Sequence, residues 1–140
     1  MKYLVLVVLM MSFSVLSHDG DEEVKVKNAP RFGGRVSAVM DEHHHDEMVY
    51  MSEIIISDQD IVRLYFYDLN MKDISLDKFP DILKMNLTYK KLASPQILEL
   101  KKNKKLYEGK LPKGIKRPFN LSTEFKANSK EFHLTIKALD

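Results

Sequence analysis

Side chains able to bind metal ions are concentrated in one short segment, residues 41–51. Three consecutive histidines at positions 43–45 have two acidic residues on each side, and methionines follow at positions 48 and 51. In an extended segment alternate side chains point the same way, so His43 and His45 would face one ion together. Neighbouring carboxylates or thioethers would supply the remaining ligands. The predicted metal ligands are Asp41, His43, His45, Glu47, Met48 and Met51.

The donor types in this segment restrict which metals it would bind. Imidazole and carboxylate donors suit Zn²⁺, Cu²⁺ and Ni²⁺, whereas the thioethers of Met40, Met48 and Met51 beside a histidine would favour Cu⁺. A histidine triplet is not a spaced metal-binding motif, and a polar loop rich in acidic residues is often only a solvated connection. The sequence therefore leaves two interpretations open, a specific transition-metal site and a solvated loop.

The other residue patterns give no basis for catalysis. The chain contains no cysteine, which excludes thiol nucleophiles, disulfides and thiolate metal sites. It also lacks a nucleophile-elbow serine motif, a phosphate-binding glycine loop and a zinc-protease helix motif. We therefore expect that the protein is not an enzyme. His133 alternates with apolar neighbours and is expected to be an ordinary exposed histidine.

The first residues have the features of an export signal. Lys2 precedes an apolar stretch of about ten residues, which ends in small and apolar residues up to Ser17. This stretch is too short to span a bilayer core about 30 Å thick. We therefore expect a cleaved signal peptide at residues 1–17 and a periplasmic or secreted mature protein without a transmembrane segment. Residues 18–30 predict a flexible N-terminal tail, and residues 31–140 predict a single domain.

The domain has the sequence pattern of an all-β fold. Apolar and polar residues alternate in segments such as 83–89 and 132–138, short polar turns separate such segments, and a short strand is predicted at 73–76. The pattern predicts an immunoglobulin-like antiparallel β-sandwich of about seven or eight strands, with a small barrel as the alternative. Tyr65 and Tyr67 face away from the apolar side of their strand, and we expect them to pack under a loop.

Charge is distributed unevenly along the chain. Residues 18–81 contain fifteen acidic and seven basic residues, whereas residues 82–140 contain five acidic and fourteen basic residues. Regions of opposite charge can attract each other within one domain, or they can steer ions and partners. The lysines are spread over predicted strands and are not clustered with aromatic residues, so we expect no nucleic-acid partner.

Three short motifs resemble those of a known family. The chain contains Ala29-Pro30-Arg31-Phe32-Gly33-Gly34, then His45-Asp46-Glu47, then Tyr65-Phe66-Tyr67-Asp68. This series resembles small bacterial periplasmic β-sandwich domains with an Ala-Pro-His-Gly-Gly-like opening, and similar segments occur in the periplasmic adaptor subunits of heavy-metal efflux pumps. Arg31 and Phe32 occupy the place of the family's histidine. The resemblance covers about residues 28–76 and implies a role in binding or handling transition metals.

These features predict a noncatalytic periplasmic protein that binds or handles a transition metal, with an efflux or envelope protein as a further partner. The competing prediction is an immunoglobulin-like module that recognises an envelope protein, in which the histidine segment is incidental. Convergence of His43, His45 and a carboxylate or methionine within metal-bond distances would support the first prediction. A splayed loop beside a flat aromatic face would support the second.

Overall fold

Eight antiparallel strands form the domain in a computed structural model, which describes residues 28–140. The predicted signal peptide at residues 1–17 and most of the predicted tail lie outside the described residues. The strands are β1 (Arg35–Asp41), β2 (Met48–Ile56), β3 (Ile61–Tyr67), β4 (Ile82–Thr88), β5 (Gln96–Asn103), β6 (Leu106–Lys110), β7 (Phe119–Ala127) and β8 (Lys130–Leu139). The strand predicted at 73–76 is absent, and Asp73 forms only an isolated bridge with Tyr67.

The strands close into a barrel, so the predicted immunoglobulin-like sandwich is wrong although the all-β class is confirmed. Their order around the barrel is β1-β2-β3-β6-β5-β4-β7-β8. Closure depends on pairing between the first and last strands, through Val39↔Leu134, Met40↔His133 and Asp41↔Phe132. A sandwich and a barrel impose the same alternation of inward and outward residues on each strand. The pattern therefore predicted the eight strands of the barrel and one further strand, at 73–76, that does not form, and it could not decide how the strands close.

Large side chains fill the interior of the barrel. The ring of Phe66 contacts those of Phe79, Tyr107 and Phe125, with centroid separations of 5.3, 5.9 and 5.6 Å. Phe79 comes from the connection between β3 and β4, and its carbonyl accepts a hydrogen bond of 2.9 Å from Lys102 Nζ. An eight-stranded barrel encloses only enough space for side chains of this kind or for one small ligand. Because the interior is a packed core, polar binding groups must lie on its outer surface.

Residues 28–34, here called the N-terminal strap, cover the outer face of β2 and β3. The fully buried carboxylate of Glu53 accepts hydrogen bonds from the backbone N–H groups of Arg31, Phe32 and Gly34 at 2.9, 2.8 and 2.9 Å. The hydroxyl of Tyr67 donates a fourth hydrogen bond to the same carboxylate, at 3.3 Å. Glu53 therefore satisfies backbone donors of an irregular segment and fixes it to the barrel.

Aromatic contacts add to the attachment of the strap. The ring of Phe32 lies 4.7 Å from that of Tyr65, and the Arg31 guanidinium lies 5.0 Å from the centre of the Tyr67 ring. Tyr67 is fully buried and Tyr65 is half-buried, which confirms that these tyrosines pack under a loop. Burial, and the nearby carboxylate of Glu53, raise the pKa of the Tyr67 hydroxyl, so this group stays a hydrogen-bond donor.

The two glycines of the strap are required for different reasons, Gly34 by its close approach to β2 and Gly33 by its positive φ angle. A Cβ atom on Gly34 would lie 2.3 Å from the carbonyl oxygen of Ile54, and Gly33 has a φ angle of +77°. Both features are readily tolerated only by glycine. The Gly-Gly pair therefore has a structural role that is independent of any metal.

Candidate metal centre

The histidine segment forms a tight turn between β1 and β2. The N–H of Asp41 donates to the carbonyl of Glu47 at 3.0 Å, and the N–H of Glu47 donates to the carbonyl of His44 at 2.7 Å. One carboxylate oxygen of Asp41 accepts hydrogen bonds from the N–H groups of His43 and His44 at 2.8 and 3.1 Å. The N–H of His43 in particular holds the pKa of Asp41 below its ordinary value. Asp41 thus organises the turn through its backbone contacts.

The tight turn spreads the three histidines in different directions. His43 Nε2 lies 3.6 Å from a carboxylate oxygen of Glu131, and His44 Nδ1 lies 4.0 Å from Asp41. The ring of His45 instead lies over that of His133, with a centroid separation of 5.6 Å. Alternate side chains would share a direction only in an extended segment. His43 and His45 consequently do not enter the same cluster.

Strand pairing brings His133 to this turn. His133 on β8 is the cross-strand partner of Met40 on β1, and the N–H of Glu42 donates to the carbonyl of Glu131 at 3.0 Å. The side chains of Glu42 and His133 therefore meet, with Oε2 and Nδ1 2.9 Å apart. Both side chains are partly shielded, at 30% and 28% exposure. Their contact links the two ends of the sequence that close the barrel.

A short hairpin fixes the position of His133 relative to β7. Asn128 and Ser129 form its two-residue turn, with φ angles of 51° and 64°. Two successive residues at positive φ are the signature of a type I′ turn, which matches the twist of antiparallel strands. The resulting register places His133 opposite Glu124. Glu124 is therefore a second acidic neighbour of His133 on the outer surface, besides Glu42.

Glu42, His45 and His133 form a candidate metal centre. Each contributes one potential donor atom, and the three donor atoms lie within 4.8 Å of one another. Among residues 28–140 this is the one group of three or more histidine and carboxylate side chains with such spacing. Two imidazoles and one carboxylate form a ligand set used by zinc sites that keep a further coordination position open.

The structure places the other predicted ligands outside this cluster. Met51 is fully buried in β2 and Met48 is half-buried at its start. Glu47 is exposed, and the Asp41 carboxylate already accepts a hydrogen bond from the backbone N–H of His43 in the turn. Of the six predicted ligands, only His45 belongs to the cluster of three.

Two members of the cluster were not among the predicted ligands. Glu42 belongs to the same acidic and histidine-rich segment, but alternation in an extended chain selected its neighbours instead. His133 was expected to be an ordinary exposed histidine, because nothing in its local sequence connects it with residues 42–45. Its outward position on β8 is predictable from alternation, whereas its proximity to Glu42 depends on the β1–β8 pairing.

A polar groove adjoins the candidate metal centre. It encloses about 570 Å³ on the outer surface of β4, β7 and β8, and the turn between β1 and β2 forms one wall. The three candidate ligands line one end of the groove. Its remaining outward side chains are Lys84, Asn86, Ser122, Glu124 and Thr135.

Comparisons with known proteins identify no relative. No known protein family, curated protein or solved structure matches the chain. The resemblance to periplasmic metal-handling domains therefore stays a prediction. No helix in the described part of the chain is long and apolar enough to cross a membrane.

Proposed function

We propose that the protein is a noncatalytic metal-binding or metal-handling protein that holds one divalent transition-metal ion between Glu42, His45 and His133. The observation that carries this proposal is the convergence of three donor atoms within 4.8 Å. Zinc bonds of about 2.1 Å in tetrahedral geometry place donor atoms roughly 3.4 Å apart. Glu42 and His133 are already at 2.9 Å, and His45 is exposed and free to adjust.

The composition of the cluster favours Zn²⁺ as the resident ion. Two imidazoles and a carboxylate match the nitrogen and oxygen donors that Zn²⁺ accepts, and Cu²⁺ or Ni²⁺ would compete for the same groups. The donor atoms of the cluster suit Cu⁺ less well, because Cu⁺ prefers thioether ligands and the thioether of Met51 is fully buried in β2. An ion at this position would replace the Glu42–His133 hydrogen bond with bonds from both side chains to the cation.

The proposed cellular setting depends on the sequence. The export signal predicted at residues 1–17 supports a periplasmic or secreted protein, and the strap and strand motifs resemble those of periplasmic metal-handling domains. We propose on this basis that the bound metal is exchanged with an efflux or envelope protein. A cysteine-free site of nitrogen and oxygen donors is compatible with an oxidising compartment.

Isothermal titration of tag-free protein with Zn²⁺ tests the proposed site. We expect one ion per chain, and we expect His133→Gln or His45→Gln to weaken binding by more than the ~10–100-fold typical of residues that only support a ligand. His44→Gln is the matched control, because His44 lies in the same turn but outside the cluster. Equal losses in all three variants would indicate a diffuse histidine-rich surface and would contradict the proposal.

A second candidate function is recognition of an envelope protein through the strap. The specific observation is Phe32, whose side chain is 54% exposed although its ring packs against Tyr65. A large exposed aromatic side chain is a common anchor in protein interfaces. Crosslinking in cells that is lost in Phe32→Ser and unchanged in His133→Gln would favour this function over metal handling.

A further inference from the structure

The groove beside the candidate metal centre has the features of a binding site for a second ligand. Three protein ligands leave at least one coordination position of a zinc ion for an external group. Glu42, His45 and His133 all line one end of the groove. An ion bound to them would therefore lie at the groove wall and be accessible to a molecule inside it.

Metal binding would reverse the formal charge of the groove. The metal-free groove contains two carboxylates, Glu42 and Glu124, and one ammonium group, Lys84, which gives a formal charge of −1 with neutral histidines. A divalent ion changes this charge to +1. An anion would be repelled from the metal-free groove and attracted to the metal-loaded groove.

The groove wall supplies hydrogen-bond donors next to the metal position. Asn86 on β4 pairs across the strands with Ser122 on β7, and Ser122 pairs with Thr135 on β8. These three outward side chains form a row adjacent to the pair Glu124 and His133. Amide and hydroxyl groups can donate to the oxygens of a carboxylate or phosphate.

We infer that the metal-loaded protein binds a small oxyanion, a phosphate or carboxylate compound. One oxygen of the anion would bind the metal, and the others would contact Lys84 and the row formed by Asn86, Ser122 and Thr135. This inference rests on the proposed metal site and names the ligand class of that site. The groove volume of about 570 Å³ lies within the ~300–1,000 Å³ usual for small-molecule sites, so it also accommodates an organic anion.

Titration of zinc-loaded full-length protein with inorganic phosphate and, separately, with succinate tests the inference. We expect saturable binding of at least one of these anions to zinc-loaded protein and none to metal-free protein. The stronger binder distinguishes a phosphate site from a carboxylate site. Cobalt-loaded protein gives a second readout, because an anion that enters the coordination sphere changes the visible spectrum of Co²⁺.

Matched variants separate the groove from the metal centre. Lys84→Gln should weaken anion binding by about two- to fivefold, the range for one exposed ion pair, while metal affinity is unchanged. Glu124→Gln should strengthen anion binding because it removes a like charge. Lys101→Gln is the control, since Lys101 is an exposed lysine on the neighbouring strand β5 and does not line the groove.

The possible results distinguish this inference from the proposed function. Metal binding at the cluster without a heat or spectral change on anion addition would overturn the inference and leave the proposed function intact. Absence of metal binding at the cluster would overturn both. Anion binding that is equal in metal-free protein, or insensitive to Lys84→Gln, would show that the anion does not occupy the groove as inferred.

Discussion

Replacement of Glu53 by glutamine tests how the barrel holds its N-terminal strap. The change keeps the size of the side chain but removes its charge and turns one acceptor oxygen into a donor NH₂ group. If the remaining oxygen stays near Phe32 and Gly34, the NH₂ group faces the N–H of Arg31, which loses its acceptor. Tyr67 can rotate its hydroxyl hydrogen and accept instead of donate.

The expected cost follows from the number and type of hydrogen bonds lost. A hydrogen bond to a charged group contributes about 1.5–3 kcal/mol and a neutral one about 0.5–1.5 kcal/mol. The three charged bonds from the strap backbone become two neutral ones, and the fourth bond, with Tyr67, changes from charged to neutral. The gross loss is about 6 kcal/mol from these values. Relief of the buried charge and hydration of the strap amides offset part of this loss. We therefore expect the free energy of unfolding to fall by about 2–3 kcal/mol.

Thermal unfolding followed by circular dichroism measures this effect. For a domain of this size the expected decrease in Tm is roughly 8–12 °C. Glu99→Gln is the control, because Glu99 is exposed on β5 and its nearest cation, Lys84, is 3.8 Å away. An exposed pair of this kind contributes less than about 1 kcal/mol. If Glu53→Gln unfolds within about 0.5 kcal/mol of the wild type, the role assigned to the Glu53 hydrogen bonds is wrong.

Three further changes test the barrel and the turn between β1 and β2. Gly34→Ala should cost about 1–3 kcal/mol, because its Cβ would lie 2.3 Å from the Ile54 carbonyl oxygen; unchanged urea denaturation would contradict this contact. Phe66→Ala should cost about 3–5 kcal/mol in the same assay, and a much smaller loss would mean that the interior is not tightly packed. The pKa of Asp41 is lowered by the N–H of His43, so its contribution to stability is present above the unfolded pKa of about 3.9 and is lost as pH falls through the lower folded value. Asp41→Asn should therefore make the free energy of unfolding less dependent on pH below about pH 4. The same pH dependence in the variant and the wild type would exclude this contribution.

The strands could be predicted from the sequence because alternation is a local signal. In β4, for example, Leu83, Met85 and Leu87 are buried while Lys84 and Asn86 between them are exposed. The barrel could not be predicted in the same way. Its closure depends on pairing between β1 and β8, which begin about a hundred residues apart, and alternation is the same whichever strands pair.

The candidate metal centre was only partly predictable for the same reason. The composition of residues 41–48 indicated donor side chains that include His45 of the candidate cluster, and the assumption of an extended segment then favoured His43 over Glu42. Hydrogen bonds from His43 and His44 to Asp41 instead bend this segment into a turn. His133 carries no local signal for a role in the site, because only the β1–β8 register brings it to Glu42.

Anomalous diffraction at the zinc absorption edge from crystals of zinc-loaded protein tests the central claim most directly. The account predicts one ordered anomalous peak, at about 2.0–2.2 Å from donor atoms of Glu42, His45 and His133. An ordered peak held by His43 or His44 instead, or no ordered peak on the β1–β2 turn, would contradict it.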